Sequence, residues 1–404
     1  MQEETARRIG IFGGSFSPPH LGHLRAARCF GQTLRLDRLL IVPAGAPPLK
    51  SPCGVSGEDR LALCRLTFPF EISDAEVRRG GVSYTIDTLR EVRAGHPCAQ
   101  LYLLIGTDQL AAFPLWRDWR GILELCTVCA LQRDAAPLRT DLPIRVLEGF
   151  VPVEISSTRL RRRLLLGEDC AAWLAPGALA YIHEKRLYQP LPPERIHHSR
   201  CVAQAAQALA LQYGADPAKA YEAGLLHDCA KYLPFEEQER LCARHGRPLT
   251  PDERAAPPVC HAFAGAAYAA LELGVTDGEV LAAMRWHTTG HAGMTPLEEV
   301  VFVADLVSAD RDYPDVERVR ALAGKDLHAA SRYILEYIFA RLKARGEPAH
   351  PDSLAWYDEL TMNNEQLGGR YATTGTRKGP RANPGRQKGP GHRGDPHHGA
   401  DDPV

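Results

Sequence analysis

The sequence predicts a doubly wound α/β domain with a parallel sheet, followed by an all-α domain. Three observations carry this expectation. Short apolar runs alternate with helical patterns from residue 9 to about 188, as in a sheet wound with crossover helices. A proline-rich break follows at Leu187-Tyr-Gln-Pro-Leu-Pro-Pro193, and prolines stop a helix and stiffen a linker. From Glu194 to about Met362 apolar residues recur at helical spacing, and no run reads clearly as a strand. The expected divisions are 1–188, a linker at 189–193, a helical domain at 194–362 and a tail at 363–404. The tail is rich in Gly, Pro and basic residues. It buries too little to offset its ordering entropy and is expected to be disordered.

Ile9–Phe12 is the first expected strand. It runs into Gly13-Gly-Ser-Phe-Ser-Pro-Pro-His-Leu-Gly-His23, after which Leu24–Phe30 reads as a helix. Further strands are expected at Leu39–Val42, Leu101–Ile105, Thr127–Leu131 and Ile144–Leu147. Helices are expected near Glu58–Phe68, Tyr84–Ala94 and Trp119–Leu125. Ile155-Ser-Ser-Thr-Arg-Leu-Arg161 opens another helix, capped by Ser156 or Ser157, that runs to about Leu166 and stops at Gly167. In the second domain, Cys201–Tyr213, Ala218–Ala230, Ala262–Leu273 and Asp277–Trp286 carry helical apolar spacing.

The composition is that of an ordinary globular protein. Of 404 residues, 45% are hydrophobic and 24% charged, with a formal net charge of −1. Nothing global points to nucleic acid or an anionic membrane. No apolar run is long enough to span a bilayer, and the N-terminus lacks the apolar core of a signal peptide. The eleven cysteines show no framework spacing, so reduced thiols in a cytoplasm are expected. Cys126 and Cys129 form a C-x-x-C inside an apolar run without a second pair, which reads as core packing.

The glycine-rich turn before the first helix is the most informative local feature. Gly13, Gly14, Ser15 and Phe16 bring main-chain amides close to a bound phosphate. A helix N-terminus adds partial positive charge. His20 and His23 lie three residues apart, on one helical face. The Ser156-Ser157-Thr158 stretch supplies a second helix N-terminus, with Arg161 one turn in. Both motifs fall at carboxyl ends of expected strands, where sheets of this class bind ligands. Between them lie Lys50 in a loop, the hydroxyl-bearing Val82–Leu89, Gly106 and Asp108 after a strand, and the indoles of Pro114–Trp119.

The His20-x-Gly-His23 and Ser-Ser-Thr-x-x-Arg161 pair resembles the nucleotidyltransferase superfamily, with its Rossmann-like fold. Its members join a nucleoside monophosphate unit of ATP to an acceptor phosphate. With Ser83-Tyr-Thr-x-Asp-Thr and Trp116-x-x-Trp119, residues 8–188 resemble the bacterial nicotinate-nucleotide adenylyltransferases. That resemblance implies that ATP is a substrate and Mg²⁺ a cofactor, and that His20 and His23 meet the phosphates. His23 would stabilise the transition state. Arg161, with Ser156, Ser157 and Thr158, would hold the triphosphate. Lys50, Gly106 and Asp108 fall in the nucleotide site, Thr85 would position the acceptor, and Trp116 would stack on a pyridine ring. Ser17 stands where the family usually has Asp or Asn, and is expected to shape the loop. Another acceptor, such as phosphopantetheine, stays open.

The helical domain holds His198, His227-Asp228, His261, His287 and Asp305. Four imidazoles and two carboxylates can hold two metal ions, a donor set suited to Fe, Mn, Zn or Co, and such pairs suit phosphate-ester or anhydride hydrolysis. The ordered set resembles the HD-domain phosphohydrolases. Gly224-Leu-Leu-His-Asp-Cys-Ala-Lys231, Met284-Arg-Trp-His-Thr-Thr-Gly290 and Val303-Ala-Asp-Leu306 are similar to the bacterial HD hydrolases that split diadenosine tetraphosphate into two ADP. The resemblance implies one metal on His198, His227, Asp228 and Asp305 and a second on His261 and His287, with iron or manganese expected. Asp228 is counted among the catalytic residues. Lys231, Thr288, Thr289 and Arg311 would contact phosphates. A regulatory nucleotide-binding role stays open for this domain. Small nucleotides are the expected partners, without membrane or specific nucleic acid, and a homodimer is left open.

Overall fold

Among the described residues six short runs form strands: β1 (Arg8–Gly14), β2 (Arg38–Pro43), β3 (Glu71–Ile72), β4 (Gln100–Gly106), β5 (Thr127–Leu131) and β6 (Arg145–Leu147). The computed structural model describes residues 7–45, 55–131, 141–148, 150–188 and 191–368. The strands pair in parallel in the order β3-β2-β1-β4-β5-β6. Side chains alternate across this sheet, so one run feeds two cores. Leu101, Leu103 and Ile105 pack with Ile9 and Ile11 on one face. Tyr102 and Leu104 pack with Phe12 and Phe30 on the other. Burial on both faces explains the near-continuous apolar runs.

The helices of this unit are α1 (Leu21–Thr33), α2 (Gly57–Thr67), α3 (Ala75–Arg79), α4 (Thr85–Gly95), α5 (Trp119–Leu125), α6 (Ser157–Leu165) and α7 (Pro176–Glu184). The strand order reverses at the β1–β4 pair, whose strands lie parallel with Phe12 opposite Leu104: β2 and β3 lie on one side of β1, and β4, β5 and β6 on the other. That is the topological switch point of an open sheet, where a crevice forms. Gly13-Gly14 ends β1 and Gly106 ends β4, so the glycine-rich turn lies at the crevice. Cys126 and Cys129 are buried free thiols. Burial pushes them up to about 12 and about 11, which suits packing and not redox chemistry.

The chain divides into two compact units at Pro193–Glu194. The second unit is helical among its described residues: α8 (Pro193–Tyr213), α9 (Pro217–Leu226), α10 (Phe235–Arg244), α11 (Pro251–Ala255), α12 (Cys260–Glu272), α13 (Gly278–Trp286), α14 (Pro296–Val307), α15 (Val316–Ala323), α16 (Leu327–Arg345) and α17 (Pro351–Gly368). Caps fix several starts. Asp216 accepts from the amides of Ala218 and Lys219 ahead of α9, and Asp277 does the same for Glu279 and Val280 ahead of α13. Thr295 and Glu298 form a reciprocal box at α14. α14 is buried from Leu297 through Ala304, which makes it the centre of the unit.

Three boundaries differ from expectation. Pro193 opens α8 instead of closing a linker, because a helix tolerates proline in its first turn. The helix expected to run to Ala230 stops at Leu226, and His227 and Asp228 lie just past its end. α17 continues beyond Met362 to Gly368, since no helix breaker precedes Gly368-Gly369. The rest of the expected tail lies outside the described residues.

Candidate functional site

The first constellation is built where β1 turns into α1. His20 is the N-cap of α1, in extended backbone, and His23 sits three residues in. The Nδ1 of His23 accepts the His20 main-chain N–H at 3.2 Å, and the two rings lie 3.7 Å apart between centroids. Phe16 takes a positive φ of 45°, which a bulky residue adopts only when its surroundings enforce it. Its buried ring meets Phe12, Phe68 and His23 edge-on at 5.3, 5.5 and 5.2 Å. A Cβ on Gly14 would come within 3.1 Å of that ring, so this glycine keeps the turn closed over Phe16.

The second motif ties into the same turn. Ser156 caps α6 by accepting the Arg159 amide at 3.1 Å. Ser157 donates to the Pro18 carbonyl at 2.9 Å, and Arg161 donates to the Ser17 carbonyl at 2.7 Å. Arg161 also reaches the Thr158 hydroxyl at 3.2 Å. The Ser17 hydroxyl lies 3.1 Å from that of buried Tyr188. The two helix N-termini therefore converge, α1 through His20 and α6 through Ser156–Thr158.

Arg60 was not singled out by the sequence. It is 1% exposed and donates to the carbonyls of Ser15 at 3.0 Å and Gly45 at 2.8 Å. It joins the turns after β1 and β2. Its signal, one arginine in an ordinary amphipathic stretch, does not stand out from surface arginines.

On the other flank, Thr85 opens α4 and Trp116 is half-buried against Phe113, 5.4 Å between rings. Tyr84 and Trp116 border one apolar cluster, and Arg117 stacks on Tyr84 at 4.6 Å. Asp108 falls in the short turn Thr107–Gln109 after β4. Its side chain, and Lys50 entirely, lie outside the described residues.

The second constellation gathers six residues from five helices or their ends. His198 comes from α8, His227 and Asp228 from the end of α9, His261 from α12, His287 from the end of α13 and Asp305 from α14. His198, His227 and Asp305 offer ligand atoms within 4.8 Å of one another, and so do His227, Asp228 and His287. His227 thus belongs to both groups. The Asp228 carboxylate faces both ways. Its Oδ2 lies 3.4 Å from His227 Nε2, and its Oδ1 lies 3.1 Å from His261 Nε2 and 3.6 Å from His287 Nε2.

The imidazoles are held from behind. Nδ1 of His227, His261 and His287 meets the carbonyls of Gly224, Pro258 and Met284 at 2.7, 2.8 and 2.7 Å. A carbonyl can only accept, so Nδ1 carries the proton and Nε2 presents a lone pair. His227 Nε2, His287 Nε2 and Asp228 Oδ1 are buried without a hydrogen-bond partner. Orphaned buried acceptors with this backing fit metal ions.

Cations flank the acids. Arg195 lies 3.2 Å from Asp228, Lys231 3.7 Å from Asp228, and Arg311 2.6 Å from Asp305. Burial alone would raise both carboxyls, but the groups facing them outweigh it. His227 and Lys231 hold Asp228 well below the usual carboxylate range, as Arg311 and His198 do Asp305. Burial, then the Lys231 charge, lowers His261 to about 4. Burial opposes protonation of His198, yet its bonds to Asp305 and Asp310 leave it raised. Thr288 and Thr289 follow His287, and both hydroxyl oxygens are buried without a partner. Arg195 and Asp310 were missed by the sequence reading; the first stands one turn before His198, a spacing that could have flagged it.

An α/β nucleotidyltransferase-type unit followed by a helical unit with a histidine–aspartate centre defines the class. The cytidylyltransferase-like family matches residues 11–163, and the HD domain matches 195–310. A protein of Opitutus terrae named a probable nicotinate-nucleotide adenylyltransferase is 42% identical over 193 residues, 45% of this chain and 98% of its own length. The chain belongs to the nicotinate-nucleotide adenylyltransferase family and carries an HD domain beside it. A Mycoplasma pneumoniae protein named a probable nicotinate-nucleotide adenylyltransferase/Ap4A hydrolase is 28% identical, covering 81% of this chain and 98% of its own. A solved Clostridium acetobutylicum structure, described as a predicted HD superfamily hydrolase involved in NAD metabolism, is 31% identical. It covers 43% of this chain and 92% of its own, with a TM-score of 0.42. No helix among the described residues is long and apolar enough to cross a membrane.

Proposed function

We propose that the chain is a bifunctional enzyme acting on nucleotides in the cytoplasm. Its first unit joins the adenylyl group of ATP to nicotinate mononucleotide, giving nicotinate adenine dinucleotide and pyrophosphate. Its second unit hydrolyses diadenosine tetraphosphate to two ADP. The observation that carries the first reading is the convergence of the α1 and α6 N-termini on one turn at the switch point of the sheet.

The acceptor phosphate is already a nucleophile, so no general base is needed. Catalysis is then alignment plus neutralisation of charge on the leaving pyrophosphate. His20 and His23 meet the phosphates at the mouth of α1, and His23 donates to the transition state. Ser156, Ser157, Thr158 and Arg161 hold the triphosphate from the α6 side, with Lys50 and the Gly13–Phe16 turn. Bound Mg²⁺ would neutralise phosphate charge. Thr85 and Trp116 receive the acceptor, the indole stacking on its ring. The preference for the acid over the amide mononucleotide rests on the family relationship.

In the second unit His198, His227, Asp228 and Asp305 would hold one divalent ion, and His261 and His287 would hold a second. Such ions, for which iron or manganese is the reading carried from the family resemblance, would supply Lewis-acid activation of phosphate hydrolysis. Lys231, Arg195 and Arg311 attract the polyphosphate, and the Thr288 and Thr289 hydroxyls can donate to it.

The test of the first reading is pyrophosphate release from ATP with nicotinate mononucleotide, its amide and phosphopantetheine as rival acceptors. Turnover confined to the pyridine mononucleotides is expected. Turnover with phosphopantetheine alone would overturn it. The test of the second reading is separation of the products from diadenosine tetraphosphate with Mn²⁺ or Fe²⁺. ADP as sole product is expected, and binding without turnover would make the domain a regulator.

A further inference from the structure

His198 differs from the other three imidazoles in how it is held. His227 and His287 follow the last turns of α9 and α13, where carbonyls are free of helix bonds, and each takes one of these through Nδ1. His261 takes Pro258, in the short turn before α12. His198 lies inside α8, where the carbonyls of the preceding turn are committed to the helix. Among the described residues its ring meets carboxylates, and no main-chain carbonyl. Its Nδ1 meets Asp310 Oδ2 at 2.7 Å, while Nε2 points at Asp305 Oδ1 at 2.9 Å.

Asp310 stands in the turn after α14, closed by the Arg311 amide on the Ser308 carbonyl at 3.0 Å. Arg311 reaches back from that turn to the Asp305 carbonyl and carboxylate at 2.7 and 2.6 Å. One turn therefore sets two ligands, Asp305 through Arg311 and His198 through Asp310.

Resting on the reading of this cluster as a metal centre, we propose that Asp310 is a positioning residue for metal binding. It accepts the Nδ1–H of His198, fixes the ring and leaves Nε2 to the ion. A carboxylate behind a ligating imidazole raises its donor strength, and losing such a partner typically weakens metal affinity about 10–100-fold. Asp310 itself donates no ligand atom to either cluster.

The experiment uses the full chain as wild type, Asp310→Ala and Asp310→Asn. Mn²⁺ stoichiometry and affinity are measured by competition with a chelator, with thermal melting of the metal-free proteins alongside. Wild type is expected to bind two ions. Asp310→Ala is expected to weaken one of them about 10–100-fold. Asp310→Asn keeps an oxygen acceptor and should recover part of the loss. Unchanged affinity in Asp310→Ala would overturn the positioning role and leave the metal centre standing. Equal weakening of both ions in both variants, with lower melting temperatures, would make Asp310 a fold residue and also overturn it. Failure of wild type to bind Mn²⁺ would overturn the metal reading and this proposal together.

Discussion

Replacing Gly224 by alanine perturbs the histidine–aspartate cluster without touching any of its side chains. Gly224 lies in the last turn of α9, where the helix crosses α8. A Cβ there would sit 2.9 Å from the Ala203 Cα and 3.0 Å from its nitrogen. Carbon atoms in contact prefer about 3.5–4.0 Å. Backbone cannot rotate away, so α8 and α9 must part by roughly 0.6–1 Å to reach that separation. Overpacking of this kind costs about 1–3 kcal/mol. Alanine recovers at most about 1 kcal/mol in helix propensity, so the clash decides the sign. The melting temperature should fall by about 2–4 °C per kcal/mol of net loss. The two helices also carry His198 and His227, and the Gly224 carbonyl backs His227. Metal–ligand distances tolerate only about ±0.2 Å, so Mn²⁺ affinity should fall as well. Thermal melting of the metal-free chain and chelator competition read the two effects. A Gly224→Ala protein that melts and binds Mn²⁺ like wild type would refute the packing argument.

Other outcomes follow from the same geometry. His23→Ala should lower the kcat of adenylyl transfer about 10²–10³-fold with little change in KM for ATP, because its proposed role belongs to the transition state. Steady-state kinetics check this, and a change confined to KM would contradict it. Trp116→Ala should raise KM for nicotinate mononucleotide by up to about tenfold, the worth of an aromatic contact, and leave KM for ATP alone. An unchanged acceptor KM removes the stacking role. Burial and Lys231 keep His261 neutral in the fold down to about 4, against about 6.5 in an unfolded chain. Its contribution to the metal-free protein is therefore fully present above pH 6.5 and is lost as pH falls from there towards 4. The slope is at most about 1.4 kcal/mol per pH unit for this one proton. Urea unfolding from pH 7 to 4 should show a flatter profile for His261→Gln, and parallel profiles would contradict the assignment.

The sheet was legible because strands buried on both faces leave unbroken apolar runs, as at Leu101–Ile105. The two-residue β3 was not, since Glu71-Ile72 is too short to show a period. His20-x-Gly-His23 and Ser156–Arg161 were legible because each glycine, cap and charge sits at a fixed offset from a helix start. The histidine–aspartate cluster was readable as an ordered set, but its contacts were not. That His227 serves both groups, and that Asp228 faces both, depends on α9 ending at Leu226 and not at Ala230. Arg60 and Asp310 were hidden for one reason. Each acts on a residue far away in sequence, at Ser15 and His198, and neither stands in a motif of its own.

The central claim is that two independent chemistries reside in one chain. The direct measurement is a crossed assay of the full protein, His23→Ala and Asp228→Ala. Each is given ATP with nicotinate mononucleotide, and separately diadenosine tetraphosphate with Mn²⁺. His23→Ala should lose dinucleotide synthesis and keep ADP production, and Asp228→Ala should do the reverse. Absence of ADP from the wild-type reaction, or loss of both activities in either folded variant, would contradict the account.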